Sequence, residues 1–220
     1  MIRNVAADVR GFTSNAFLVS GVARSAPNAT GDAGTEGPTA EADAGATGRT
    51  VLVDAGAGFD VVSAVREAGV DDLDAVLLTH THPDHVGNVD DLREAFGVET
   101  WGFDPDGPAV DNGIADGETL RIGTSEFTAL HTPGHKDDHL CFLSADGAVL
   151  FAGDLVFADG GFGRTDLPEG NRGLLVESLD RVVEATGEGL EELHTGHGRS
   201  VVDGPFDHVE LAAQAARADY

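Results

Sequence analysis

Short runs of apolar residues, separated by turns rich in Gly and Asp, recur along most of the chain and predict short β-strands. These predicted strands cover residues 3–9, 16–20, 50–53, 75–78, 98–101, 119–122, 126–130, 140–143, 148–151 and 193–195. Apolar residues three or four positions apart predict helices over 59–68, 86–96, 172–185 and 207–218. This order of strands and helices indicates an α/β fold, in which helices cover the outer faces of two sheets.

Residues 22–48 interrupt this pattern. The segment consists almost wholly of Ala, Gly, Thr, Pro, Asp and Glu, and such a composition cannot bury enough apolar surface to fold. We therefore predict one domain over residues 1–220 that carries a disordered acidic insertion at 22–48. Without the insertion, the strands at 16–20 and 50–53 would form a simple antiparallel pair.

The composition and charge limit the class of protein. A chain of 220 residues, of which 41% are hydrophobic, is long enough to bury a proper core. It has 39 acidic and 13 basic residues, so its formal net charge is −26. A surface of this kind repels itself unless salt screens the charges, which is typical of a halophilic source. The charge also argues against a nucleic-acid partner, because phosphate contacts need clustered Lys and Arg.

The single cysteine, Cys141, excludes an internal disulfide. Because its neighbours are apolar, we predict a buried and unreactive thiol. The sequence has neither a run of 18 apolar residues nor an N-terminal signal segment, so we expect a soluble cytoplasmic protein without a membrane partner. The oligomeric state is not indicated.

The segment 80–85, with the sequence His-Thr-His-Pro-Asp-His, carries the strongest chemical signal. Imidazole and carboxylate groups are the ligands that divalent first-row metals prefer. Without a cation, four such groups in one short turn would repel one another or remain badly solvated. The segment therefore predicts a metal site at the end of the strand 75–78.

Three further potential ligands lie at the ends of later predicted strands, namely His135, Asp154 and His197. Each has a glycine beside it, where the backbone can approach a metal closely. Sites in layered folds collect at such strand ends. Together with the segment 80–85, these residues indicate one metal centre built from several parts of the chain.

The order and spacing of these residues resemble those of the metallo-β-lactamase-fold hydrolases. The five motifs of that family match Asp54, the segment 80–85, His135, Asp154 and His197. The resemblance implies an αββα sandwich, in which two mixed β-sheets are flanked by helices. It also implies that Asp54 fixes the geometry of the histidine segment without binding metal itself.

The resemblance implies two divalent metal ions, Zn²⁺ in the first place and Fe²⁺ as the alternative. One ion would be bound by His80, His82 and His135. The second would be bound by Asp84, His85 and His197, and Asp154 would bridge the two. The implied chemistry is hydrolysis by a metal-activated hydroxide. The catalytic residues would be Asp84 and Asp154, which offset part of the metal charge, and Asp154 would also steer the attacking water.

Several branches of this family are disfavoured by single residues. Asp154 stands where the antibiotic-hydrolysing enzymes usually carry a cysteine, and His82 stands where the diiron flavoproteins carry an acid. The nucleases of the family have basic surfaces, which this chain lacks. What remains resembles the glyoxalase II-like thioesterases and the persulfide dioxygenases.

We therefore expect a hydroxyacylglutathione hydrolase-like thioesterase, whose partner is a small-molecule thioester. One alternative is a mononuclear iron persulfide dioxygenase that uses His80, His135 and Asp154. A lactone or ester hydrolase and a non-catalytic metal-binding relative are further alternatives. Metal content and activity distinguish these possibilities.

Two features bear on the substrate. Arg164, within a Gly-Arg-Thr-Asp segment that both of those groups carry, either holds a substrate carboxylate or forms a salt bridge with Asp166. Only residues 198–220 follow His197, so we expect a compact form without the helical C-terminal domain of full-length glyoxalase II enzymes. The thiol carrier would then be a small molecule other than glutathione.

Four histidines match no motif, namely His131, His139, His194 and His208. We expect them to be ordinary strand or surface residues. For His131 and His194, which lie close before predicted ligands, a role in supporting those ligands is the alternative.

Overall fold

The computed structural model describes residues 1–21 and 48–218. The predicted insertion at 22–48 lies outside the described residues, apart from Gly48. Within these two ranges the strands are β1 (Ile2–Asn4), β2 (Phe17–Val19), β3 (Val51–Val53), β4 (Ala75–Leu77), β5 (Thr100–Gly102), β6 (Asn112–Gly113), β7 (Thr119–Ile122), β8 (Ser125–His131), β9 (Leu140–Ser144), β10 (Val149–Gly153) and β11 (Glu192–Thr195). The helices are α1 (Val61–Glu67), α2 (Pro83–Val86), α3 (Val89–Phe96), α4 (Arg172–Thr186) and α5 (Pro205–Ala218).

The strands form two mixed sheets. In the first sheet the order is β1-β2-β3-β4-β5-β6, with antiparallel pairs up to β3 and parallel pairs from β3 onward. In the second sheet the order is β11-β10-β9-β8-β7, and only β10 and β11 are parallel. The predicted antiparallel pairing of the strands at 16–20 and 50–53 is confirmed, since Leu18 lies opposite Leu52.

Three apolar clusters define the layers of the fold. The cluster between the sheets contains aromatic side chains from both, among them Phe17, Phe127, Phe142 and Phe151. A second cluster packs α1 and α3 on the first sheet, and a third packs α4 and α5 on the second sheet. The predicted architecture, two mixed sheets flanked by helices, is therefore confirmed.

The structure corrects two predicted elements. The first strand ends at Asn4 and not at Val9, because Asn4 Oδ1 accepts hydrogen bonds from the backbone of Ala6 and Ala16 and turns the chain. The helix predicted over 86–96 begins only at Val89, as α3, and Val86 is the last residue of the separate short helix α2. The break falls at Gly87 and Asn88, where the Asn88 amide donates to the carbonyl of Ala55.

The helices within residues 1–21 and 48–218 can be compared with the requirements of a membrane span. None of these helices has both the length and the apolar character that a membrane span requires.

Candidate metal centre

The predicted ligands follow strands whose carboxyl ends meet at one edge of the sandwich. Asp54 follows β3, and the segment 80–85 follows the neighbouring parallel strand β4. In the second sheet, His135, Asp154 and His197 follow β8, β10 and β11, which run in the same direction. The topology therefore brings together side chains that are up to 143 positions apart in sequence, from Asp54 to His197.

Three imidazoles converge in the first group of ligand atoms. His82 Nδ1 lies 3.0 Å from His80 Nε2 and 3.0 Å from His135 Nε2. Asp154 Oδ2 lies 3.4 Å from the same His135 atom. Separations of this size suit atoms that each lie about 2 Å from a shared ion. The group can therefore hold one cation.

The second group shares Asp154 with the first. Asp84 Oδ2 lies 3.0 Å from His197 Nε2, and His85 Nε2 lies 3.3 Å from Asp154 Oδ1. Asp154 Oδ2 lies 3.5 Å from His197 Nε2. Asp154 Oδ2 therefore lies close to a ligand atom of each group, and this carboxylate connects both.

Unsatisfied buried atoms test whether metal ions fit these groups. His85 Nε2 and Asp154 Oδ1 are buried and have no hydrogen-bond partner among the described residues. Buried polar atoms normally have a partner, and a cation would satisfy both of these at once. Gly196 lies so close that a Cβ at its position would collide with Asp154 Oδ1. The residues present therefore fit two divalent ions held by nitrogen and oxygen ligands.

Asp54 orients His85, a member of the second group, by a hydrogen bond to the ring nitrogen that faces away from the ligand atoms. Its Oδ2 lies 2.9 Å from His85 Nδ1, and both of its oxygens accept hydrogen bonds from Thr79 at 2.8 Å. Accepting the Nδ1 proton of His85 leaves Nε2 of that ring as a ligand. Asp54 holds a left-handed backbone conformation, with φ of 60°. Its hydrogen bonds offset the cost of this conformation.

The carboxylates give the metal-free site a negative field. Burial lowers the pKa of His85, but Asp54 and Asp154 outweigh it and raise this pKa to about 10. Burial raises the pKa of Asp154, yet the neighbouring imidazoles of His197 and His85 hold it well below the usual range of an aspartate. Charges that favour a bound proton on His85 also favour a bound metal cation.

His139 supports the site, although the sequence gave it no motif position. Its Nε2 accepts the backbone N–H of Asp154 at 3.1 Å, and its Nδ1 lies 2.8 Å from Thr132 Oγ1. Burial and the nearby His135 lower the pKa of His139 to about 3, so the ring is neutral. Its position directly before the apolar strand β9 was the only available signal in the sequence.

The other unassigned histidines lie outside the ligand groups. His131 stacks on Phe103 with ring centroids 3.7 Å apart. His194 bonds to Ser200 and Glu192 and packs against the aromatic side chains between the sheets. His208 accepts a hydrogen bond from the backbone of Asp159.

Arg164 forms the salt bridge that was one of its two predicted roles. Its guanidinium donates to both carboxylate oxygens of Asp166, at 2.7 and 2.6 Å. The side chain is 61% exposed. Its carbonyl oxygen lies 2.8 Å from His135 Nδ1, so the backbone of Arg164 orients a predicted ligand.

Cys141 is buried, as predicted, and burial raises the pKa of its thiol to about 12.

The lone lysine supports the histidine segment from outside. Asp138 accepts a hydrogen bond from Thr81, between His80 and His82, at 2.5 Å. Lys136 Nζ lies 3.3 Å from the same carboxylate and 2.7 Å from Glu169. An ion-pair network therefore ties the segment 80–85 to two other loops.

Comparisons with known proteins agree with this geometry. Residues 44–197 match the metallo-beta-lactamase superfamily. The chain is similar to the hydroxyacylglutathione hydrolase GloC of Haemophilus influenzae, with 36% identity over 129 residues. That match covers 49% of this chain and spans only 60% of the relative's length.

Solved structures show the same fold. TTHA1623, solved in a di-iron-bound form, has a TM-score of 0.67 and 26% identity, and the match covers 97% of each chain. ETHE1 from Myxococcus xanthus has a TM-score of 0.69 and 22% identity, with 99% of this chain and 90% of that chain covered.

Proposed function

Because the chain belongs to the metallo-beta-lactamase superfamily of hydrolases, we propose that it is a two-metal thioesterase that cleaves the S-acyl conjugate of a small thiol. The observation that carries this proposal is the presence of two ligand groups that the carboxylate of Asp154 connects. The similarity to a hydroxyacylglutathione hydrolase supports a thioester as the substrate. The seven ligands are His80, His82, Asp84, His85, His135, Asp154 and His197.

The side chains of the site divide the work of hydrolysis. When bound, the metal ions supply Lewis acidity, which lowers the pKa of a water and polarises a carbonyl. Asp84 and Asp154 offset positive charge and accept a hydrogen bond from the attacking water, which orients it. Asp54 and the carbonyl of Arg164 hold His85 and His135 in position. Cys141 lies buried in the third cluster, away from the ligands, so it is not a nucleophile.

The dioxygenase alternative differs from the proposed hydrolase in the number of metal ions. A mononuclear iron site would need only His80, His135 and Asp154 as ligands. The ligand atoms of Asp84, His85 and His197 converge as well, as the proposed second ion requires, but dioxygenases of this family retain most of these residues, so the metal content separates the two functions. The di-iron form of TTHA1623 leaves the metal open, so we propose Zn²⁺ with Fe²⁺ as the second candidate.

Metal counting and two activity assays test the proposal. The full chain, purified in concentrated salt, should contain two metal ions by elemental analysis and should hydrolyse S-lactoylglutathione or a simpler thioester. A content of one iron per chain, together with oxygen uptake on a persulfide and no thioester cleavage, would contradict the proposal.

Substitution of the shared carboxylate provides the sharpest variant. Asp154→Asn should reduce kcat/KM by about 100-fold or more, because it removes the negative charge of the carboxylate that connects the two ligand groups and orients the attacking water. Metal content should fall as well, since the amide is a poorer ligand. The matched control is Asp203→Asn, which alters an exposed aspartate and should leave both readouts unchanged. Equal activity of the two variants would rule out the two-metal mechanism.

A further inference from the structure

An exposed aromatic ring lies at the mouth of the metal centre. Phe12 is 84% exposed, although it is one of the largest apolar side chains in the described part of the chain. Its ring stacks on that of His197, with centroids 6.0 Å apart and planes 27° apart. Phe157 lies against the same imidazole at 6.1 Å. Two phenyl rings therefore flank one predicted ligand.

The centre meets solvent at His82 and at His197, and the two phenyl rings lie on the side of His197. The His197 side chain is 31% exposed, whereas those of His85 and His135 are 0% and 4% exposed. A substrate that reaches the ligands from this side passes Phe12 and Phe157.

The loop that carries Phe12 is fastened to the segments that carry ligands. The backbone of Ser14 donates to the carbonyl of Asp84 at 3.1 Å, and that of Asn15 donates to Gly196 at 2.7 Å. The Asn15 side chain also donates to the carbonyl of Thr195 at 2.8 Å. The tip of the loop, residues 10–12, is exposed. The position of Phe12 beside the ligands is thus set by hydrogen bonds at the base of its loop.

The chemistry of this mouth favours an apolar group. Contact with Phe12 and Phe157 would remove hydrocarbon surface from water, which is favourable in proportion to the area covered. Arg164, near His135, is already paired with Asp166. The net charge of −26 also disfavours an anionic substrate at low ionic strength.

We propose that Phe12, together with Phe157, contacts an apolar arm of the substrate and sets a preference for thioesters that carry a hydrocarbon chain. This inference rests on the proposed function and deepens it. Phe12 determines specificity, and the reaction itself remains the work of the ligand groups.

Graded substrates test this preference. One series keeps N-acetylcysteamine as the thiol and lengthens the acyl group from acetyl through butanoyl and hexanoyl to octanoyl. A second series keeps the acetyl group and lengthens an alkyl thiol. In at least one series, kcat/KM of the metal-loaded protein should rise about twofold per methylene, about half the effect of full burial. The series that rises identifies the arm.

Three variants show whether Phe12 is the cause. Phe12→Ala should abolish the increase, mainly through KM, so that the thioester with the longest chain loses the most and the acetyl thioester of a short thiol the least. Phe12→Leu should keep part of the increase, because it restores apolar surface. Val202→Ala removes another exposed apolar side chain, 70% exposed, and should have no effect. An unchanged increase in Phe12→Ala, or no increase with chain length in the native protein, would overturn the inference.

A binding measurement separates this inference from the proposed function. S-hexyl-N-acetylcysteamine is a thioether and cannot be hydrolysed, so calorimetry with it needs no turnover. Phe12→Ala should bind it about tenfold more weakly than the native protein. Failure to cleave any thioester would count against the proposed function, whereas equal binding by both proteins would count against the role of Phe12.

Discussion

His139 illustrates at the scale of one residue how a neutral imidazole fixes a charged neighbour. The backbone N–H of Asp154 donates to His139 Nε2, so the proton of this neutral ring lies on Nδ1 and is donated to Thr132 Oγ1. The residue is fully buried, and a charged ring there would be poorly solvated. Because the low pKa keeps the ring neutral, Nε2 remains free to accept the backbone N–H of Asp154, and this hydrogen bond holds the start of the loop that carries Asp154.

We expect His139→Leu to destabilise the protein by about 1–3 kcal/mol, because it leaves the backbone N–H of Asp154 buried without an acceptor. His139→Gln offers a carbonyl oxygen and should restore part of the loss. Urea unfolding of the metal-free protein measures the stability, and competition with a coloured chelator measures zinc affinity. If Leu and Gln behave alike in both measurements, the hydrogen bond to Asp154 is not what His139 contributes.

At the scale of elements, the loop after β4 depends on a neighbouring loop. Thr81 lies between two predicted ligands, and its hydroxyl donates to Asp138, which Lys136 holds in turn. The Lys136 side chain is 13% exposed, so solvent screens this network only in part. Burial lowers the pKa of Lys136, but Glu169 and Asp138 outweigh it and raise this pKa, so the amine stays charged at neutral pH.

Lys136→Met should destabilise the fold by about 2 kcal/mol and weaken zinc binding, because Asp138 then remains buried without its counter-charge. Arg121→Met is a matched control, since it removes an exposed pair with Glu126 at 3.6 Å and should cost less than about 1 kcal/mol. Thermal unfolding with and without zinc measures both effects. Equal losses in the two variants would show that the Lys136 network gives the histidine segment no special support.

Elements also show what the sequence could and could not predict. Most strands and helices follow from local apolar patterns. The segment 80–85 stands out by its crowded imidazole and carboxylate groups, and His135, Asp154 and His197 by their place beside glycine at strand ends; the structure brings these side chains together. The break between α2 and α3 depends on packing of Asn88 against Ala55, which no local pattern contains. The two-residue strand β6 is too short to give a pattern. His139 was missed because its partners, Thr132 and Asp154, are near it only in the folded chain.

The whole molecule combines a packed sandwich with a large excess of acids. A formal charge of −26 on 220 residues must repel itself wherever salt does not screen it. The basic residues are largely engaged already, as Arg93 is with Asp111 and Arg181 is with Asp116. Salt is therefore the remaining means of reducing the repulsion.

The melting temperature at pH 7.5 should rise by several degrees between about 0.1 and 2 M NaCl, since screening acts over less than about 10 Å in this range. The rise should be smaller at pH 4.5, where some carboxylates are neutral and less repulsion remains. Differential scanning calorimetry of the full chain measures both. If the melting temperature rises by the same amount at both pH values, the effect of salt is general salting-out and not screening of carboxylate repulsion.

Gly196 has a consequence for how this sequence can diverge. The carboxylate of Asp154 reaches both ligand groups through space that any larger residue at 196 would fill. Exposed positions in the surrounding loops can be substituted one at a time with small losses of stability. A single replacement at 196 would instead displace the carboxylate that connects both ligand groups, so a related sequence that keeps this arrangement must keep glycine here.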